Sequence, residues 1–226
     1  MPLKREEILR KILHFIFGSI IPLGIFYIPF YADKYSFNLL PSWLLPPVIL
    51  SFFLILFIVI EFLRFKNQLI QKIFYRFFGT MLRKEESHKA TGATYILASS
   101  VLCSCVFKDY PHISLMVLSA FIWGDAVAAL VGQSLGRIKI GSKSLEGSLA
   151  CFFLCMLFFI LIYPNLPHVL EKWNGKIPLL LIFISSLSIT IMELFPIKIR
   201  KFTINDNLLV PFITGIIMIA LYPILQ

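Results

Sequence analysis

Seven runs of mostly apolar residues, each close to the length of a bilayer crossing, constrain this chain more than any other feature. They are Ile12 to Phe30, Leu44 to Phe62, Thr91 to Phe107, Ile113 to Leu135, Leu149 to Tyr163, Ile177 to Phe195 and Leu208 to Leu225. A crossing takes about 20 apolar residues, and in hydrocarbon each backbone polar group must find its partner within the segment, which a helix provides. The chain of 226 residues is 58% hydrophobic, against roughly 45–50% for a soluble domain, and its mean hydropathy is +0.86. The expectation is an all-α, polytopic membrane helical bundle of about seven transmembrane helices. The runs leave little chain for a soluble unit and no linker or repeat divides them, so residues 1–226 read as one domain.

Charge sets the orientation. With the N-terminus cytoplasmic, the segments 1–11, 63–90, 136–148 and 196–207 hold all but four of the 21 lysines and arginines, the four being Lys34, Lys108, Lys172 and Lys176. That bias is the positive-inside pattern. The first run is long for a signal-peptide core and no small-residue cleavage site follows it, so it reads as an uncleaved helix. The net charge of +9 is met by anionic headgroups, and no nucleic-acid-binding pattern accompanies it. Cys103, Cys105, Cys151 and Cys155 all fall within apolar runs and read as small hydrophobes. His14, His88, His112 and His168 are scattered between the two sides, so no zinc site is expected.

Residues 62–83 differ in kind. At 100° per residue, Phe62, Leu63, Leu69, Ile70, Ile73, Phe74, Phe77 and Met81 share one half of a helix; Arg64, Gln68, Gln71, Lys72, Arg76 and Arg83 share the other. This predicts an interfacial amphipathic helix in the cytoplasmic headgroup layer, a connector or a flap beside a lipid entry route.

Within the fourth run stands Asp125, a costly residue in a membrane helix and therefore a functional candidate. Ala128, Ala129, Gly132 and Gly136 follow on the same face. Such a face suits the wall of a polar cleft or close packing against another helix. Asp125 lies about 10–16 Å from the cytoplasmic end of its helix, at ~1.5 Å per residue. The next loop, GRIKIGSKSLEGS, brings Arg137, Lys139 and Lys143 together among glycines, a composition that suits phosphate. Its spacing is not that of a Walker A loop. Glu61, Glu146, Glu193 and Asp206 also stand at cytoplasmic ends of the runs. Carboxylates and cations at one level are what a magnesium nucleotide requires.

These stretches resemble a family. R10-K11-I-L-H14, H88-K-A-T91-G92-A-T-Y95, G124-D125-A-V-A128-A129-L-V-G132, K143-S144-L-E146-G147-S148 and E193 with D206-N207-L-L-V-P211 are similar, in order, to the blocks of the CTP-dependent lipid-alcohol kinases. That family includes phytol kinase, dolichol kinase and the CTP-dependent diacylglycerol kinase. Lys143-Ser144 stands where the family often has Lys-Thr. The resemblance implies transfer of the γ-phosphoryl group of CTP, with Mg²⁺, to the hydroxyl of a membrane lipid: phytol, a polyprenol or dolichol, farnesol or diacylglycerol. The family's basic pair falls on Arg10 and Lys11, and its central aspartate and glycine on Asp125 and Gly132. On this reading Asp125, Lys143 and Glu146 are catalytic. Arg10, Lys11, Gly132, Arg137, Lys139 and Ser144 bind nucleotide phosphate, and Asp125, Glu193 and Asp206 hold the metal. A phosphatidate cytidylyltransferase is the nearest alternative, although its aspartate-rich C-terminal signature is not evident. A transporter fits less well, because the polar blocks face one side and no inverted repeat appears.

Overall fold

The computed structural model describes residues 5–36, 40–79, 82, 86, 89–195, 198–199 and 202–225, with the backbone alone at 5–11, 14, 17, 198–199 and 202–203. Each of the seven apolar runs lies in a helix. In chain order these are α1 (Arg5–Lys34), α2 (Leu45–Lys66), the short amphipathic α3 (Gln68–Phe78), α4 (Gly92–Val106), α5 (Pro111–Ser134), α6 (Leu145–Leu157), α7 (Tyr163–Asn165), α8 (Leu179–Leu194) and α9 (Asp206–Leu225). A π-helical stretch, Phe158–Ile162, joins α6 to α7. It precedes Pro164, which has no N–H to continue the regular ladder.

Four stretches are long and apolar enough to cross a bilayer: Ser42–Lys66, Pro111–Ser134, Leu145–Asn165 and Asp206–Leu225. The apolar helices α4 and α8 have 15 and 16 residues, about 22–24 Å at ~1.5 Å per residue, which is short of the ~30 Å hydrocarbon core. Both stop at the same polar end of the bundle, α4 at its first turn by Gly92 and α8 at its last turn by Glu193.

The helix carrying Asp125 is the central post. Residues Ile113 to Ile122 of α5 are buried on every side, as expected of a helix apolar all round. It packs chiefly on α6 and α1, and also on α9. The α1 contact is fixed at Gly18, where an added Cβ would lie 2.6 Å from Ile122, and by Trp123 Nε1 donating to Ser19 Oγ at 3.2 Å. Large apolar side chains point out of the bundle, among them Phe52, Ile55 and Ile58 on α2 and Leu179, Phe183 and Ile191 on α8. Lipid is the solvent that tolerates such a surface.

Two expectations are corrected. The amphipathic segment is not one helix over 62–83: α2 runs on to Lys66, and the chain turns at Asn67, whose side chain accepts from Leu69 N and Ile70 N. That cap starts α3 as a new helix, while Met81 and Arg83 lie outside the described residues. Arg64, placed by periodicity on the solvated face, is buried, because the turn at Asn67 folds α3 back over it. The all-α class holds apart from two antiparallel pairs of two-residue strands, β1 (Lys139–Ile140) with β2 (Lys143–Ser144), and β3 (Lys198–Ile199) with β4 (Phe202–Thr203).

Candidate active site

The segment between α5 and α6, rich in glycine and lysine, is a hairpin. Lys139 pairs with Ser144 and Ile140 with Lys143, and Gly141 in the turn has φ +62°, a conformation that costs glycine nothing. Glu146, in the first turn of α6, accepts from the backbone amides of Arg137 and Ile138 at 2.9 and 3.1 Å. Ser144 is the N-cap of α6; its buried hydroxyl accepts from Gly147 N at 3.2 Å. Lys139 Nζ donates to Gly132 O at 3.2 Å, a cation at the carbonyl end of α5.

These contacts give several of the expected site residues a structural part. The Arg137 and Ile138 amides donate to Glu146, which clasps the hairpin. Ser144 caps a helix. Gly132 meets α6 closely: a Cβ there would lie 2.7 Å from Ser144 Oγ, and one on Gly147 would lie 2.5 Å from Ala128 O. The small face below Asp125 is thus the α5–α6 packing seam, the second of the two readings its composition allows. Arg137 remains exposed. Arg10 and Lys11 fall in α1, and their side chains lie outside the described residues.

Lys143 is the hub. Its Nζ lies 2.6 Å from Glu193 Oε1 and 3.3 Å from Asp206 Oδ2, and it also donates to the backbone carbonyl of Glu193. The ammonium thus sits at the carbonyl end of α8 while Asp206 stands in the first turn of α9, each charge at the helix end that favours it. Burial by itself would lower the Lys143 pKa. The Glu193 carboxylate outweighs it, with Asp206 and Asp125 adding to the same field, and the ammonium is held above the ordinary lysine value. Asp125, partly buried on α5, therefore lies within electrostatic range of this cluster.

Sequence reasoning assigned Glu193 and Asp206 to a metal and Lys143 to phosphate; the fold brings all three together, with the lysine bridging the acids. Among the described residues no three carboxylate, histidine or cysteine side chains stand close enough to hold a metal ion. One feature does suit a cation: Glu193 Oε2 is buried with no hydrogen-bond partner among the described residues, a costly state for a carboxylate oxygen.

Beside the hub runs the strap of residues 86 and 89–92. Gly92 O accepts from Asn207 Nδ2 at 3.2 Å, Gly92 N donates to Glu86 Oε1 at 2.8 Å, and Thr91 N donates to Glu61 Oε1 at 2.7 Å. Glu61 is therefore an anchor of the strap. Arg64, three residues on along α2, holds it as well, donating to Glu86 O and Lys89 O. The signal for Arg64 was legible as an arginine set among Phe62, Leu63 and Phe65 at the end of an apolar helix.

The chain is similar to three curated proteins. It is 27% identical over 228 residues to the CTP-dependent diacylglycerol kinase 1 of Saccharomyces cerevisiae, covering 96% of this chain and 73% of that protein. It is 29% identical over 168 residues to an uncharacterised protein of Rickettsia prowazekii, covering 70% and 76%. With a probable chloroplastic phytol kinase 1 of Glycine max it shares 30% identity over 129 residues, 54% of this chain and 41% of that one. No family model and no solved structure matches.

Proposed function

From a chain whose named relatives are CTP-dependent and lipid-alcohol kinases, we propose a CTP-dependent kinase that phosphorylates the hydroxyl of a membrane lipid alcohol. The observation that carries the reading is the Lys143 hub: a cation held by Glu193 and Asp206 in the field of Asp125, at one end of a bundle of membrane helices. Phosphoryl transfer asks a protein mainly for positioning and charge stabilisation. Lys143, already counterbalanced by carboxylates, is the group that exchanges them for nucleotide phosphate, with Arg137, Arg10 and Lys11 completing the basic surround. Lys139 and Glu146 fix the hairpin that presents Lys143, and Ser144 with Gly132 seats that hairpin on α5.

The lipid oxygen forms its bond to the γ-phosphorus as the bond to the β–γ bridging oxygen breaks, and CDP leaves with the electron pair. Asp125 serves as acceptor of the hydroxyl proton or as a metal ligand. Asp125, Glu193 and Asp206 do not stand close enough together to hold Mg²⁺ by themselves, so the ion would arrive with the nucleotide, whose phosphate oxygens would complete a site at the orphaned Oε2 of Glu193. When bound, the metal supplies positive charge to the phosphates. Seven crossings with the N-terminus inside, argued from the basic residues, put this end at the cytoplasmic face. There the lipid keeps its chain in the bilayer and offers its hydroxyl at the interface, beside α3.

The test uses membranes containing the protein, Mg²⁺, and CTP labelled either in the γ-phosphate or in the cytidine. Phytol, farnesol, a polyprenol and diacylglycerol are offered in turn. The expected product is a lipid monophosphate carrying only the γ label, with one lipid clearly ahead. Cytidine label in lipid identifies a cytidylyltransferase, and no labelled lipid from folded protein removes the kinase reading.

A further inference from the structure

Arg64 is the most deeply buried lysine, arginine, aspartate or glutamate among the described residues, with 2% of its surface exposed. Its Nη2 donates to two backbone carbonyls of the strap, Glu86 O at 2.8 Å and Lys89 O at 2.6 Å. Its guanidinium carbon lies 4.7 Å from the ring centroid of Phe65 and 4.6 Å from that of Phe74 on α3. Nε and Nη1 have no acceptor among the described residues. A buried arginine with three of its five N–H donors lacking an acceptor among the described residues is expensive to keep, even with its guanidinium over two rings. Mere packing of α2 on the strap would be met more cheaply by an apolar side chain.

What Arg64 holds explains its retention. The strap ends at Gly92, where an added Cβ would lie 3.0 Å from Asn207 Nδ2, and Asn207 bonds Gly92 O. Asn207 follows Asp206, the second carboxylate on Lys143. One continuous set of contacts therefore runs from Phe74 on α3, through Arg64 and the strap, to the first turn of α9 and the hub. We infer that Arg64 is a positioning residue: it fixes the strap so that Asn207 sets the place of Asp206, and it ties that place to the seating of α3. This rests on the kinase reading for its catalytic consequence.

The planar guanidinium reaches two carbonyls and stacks on two rings at once, which an ammonium does not reproduce. In full-length protein reconstituted in bilayers, Arg64→Lys is expected to lower kcat about tenfold with KM for CTP little changed, the pattern of lost transition-state alignment. Asn207→Ala should do likewise, and the double variant should be no slower than the slower single, since both act on one element. Independently of activity, hydrogen exchange at the Thr91 and Gly92 amides should quicken in Arg64→Lys and in the milder Phe74→Leu, while α5 and α6 keep their protection. Phe74→Leu carries the test if Arg64→Lys does not fold. Unchanged exchange at those amides, or losses in kcat that simply multiply in the double variant, overturn the inference alone. Wild-type protein without CTP-dependent transfer overturns the kinase reading and the catalytic half of this inference with it.

Discussion

Lys143 and Glu193 lie 50 residues apart in sequence and meet as an ion pair at 2.6 Å, with the lysine side chain 22% and the glutamate 5% exposed. The pair joins the hairpin after α5 to the end of α8 and, through Asp206, to the start of α9. Its position makes the lysine a structural tie between three separate parts of the chain.

Removing that cation strands a nearly buried carboxylate. Breaking a buried pair costs about 3–5 kcal/mol, and surface pairs about 0–1, so Lys143→Ala at a partly open site should cost roughly 2 kcal/mol. Glu193→Gln should cost less, since Asp206 remains to pair with the lysine. Thermal unfolding in detergent compares the two. The Lys143 pKa is raised on folding, so its contribution is fully present below the unfolded lysine value of about 10.4 and is lost as pH rises through the higher folded value. Toward alkaline pH, the stability gap between wild type and Lys143→Ala should therefore stay open until that higher value is passed.

Asp125→Asn should leave expression and detergent stability near those of wild type while turnover falls by about two orders of magnitude or more, as a preorganised charge is lost. Single-turnover assays on purified protein check this. A variant that misfolds yet keeps its specific activity when folded marks Asp125 as structural.

Gly147→Ala should destabilise the α5–α6 seam by about 1–3 kcal/mol, because the new methyl meets the backbone carbonyl of Ala128, which has no rotamer to give way. Gly132→Ala meets only the Ser144 hydroxyl. It should be milder in unfolding assays, losing the cap of α6 and shifting the hairpin that presents Lys143.

A reporter fused after Gln226 should be active only outside the cytoplasm, as seven crossings from an inside N-terminus require. A cytoplasmic signal would remove one crossing, and the short helices α4 and α8 would be the first to reconsider.

The sequence by itself determined where the helices lie, because apolar run length is local information and hydrocarbon admits few alternatives to a helix. It also determined which residues carry charge at one end, and the order of blocks that resemble a lipid kinase. The break at Asn67 fell inside a segment whose periodicity reads as one helix, and it shows only in the two amides that Asn67 binds. Tertiary structure decided the rest. It closed the small face of α5 against α6, spent Glu146 and Ser144 on holding a hairpin, and buried Arg64 under α3. It also placed Lys143 between carboxylates from two other helices. Periodicity gives the direction of a side chain about its own helix axis, whereas a partner 50 or 115 residues away, as for Lys143 with Glu193 or Gly92 with Asn207, is fixed only by how the helices pack.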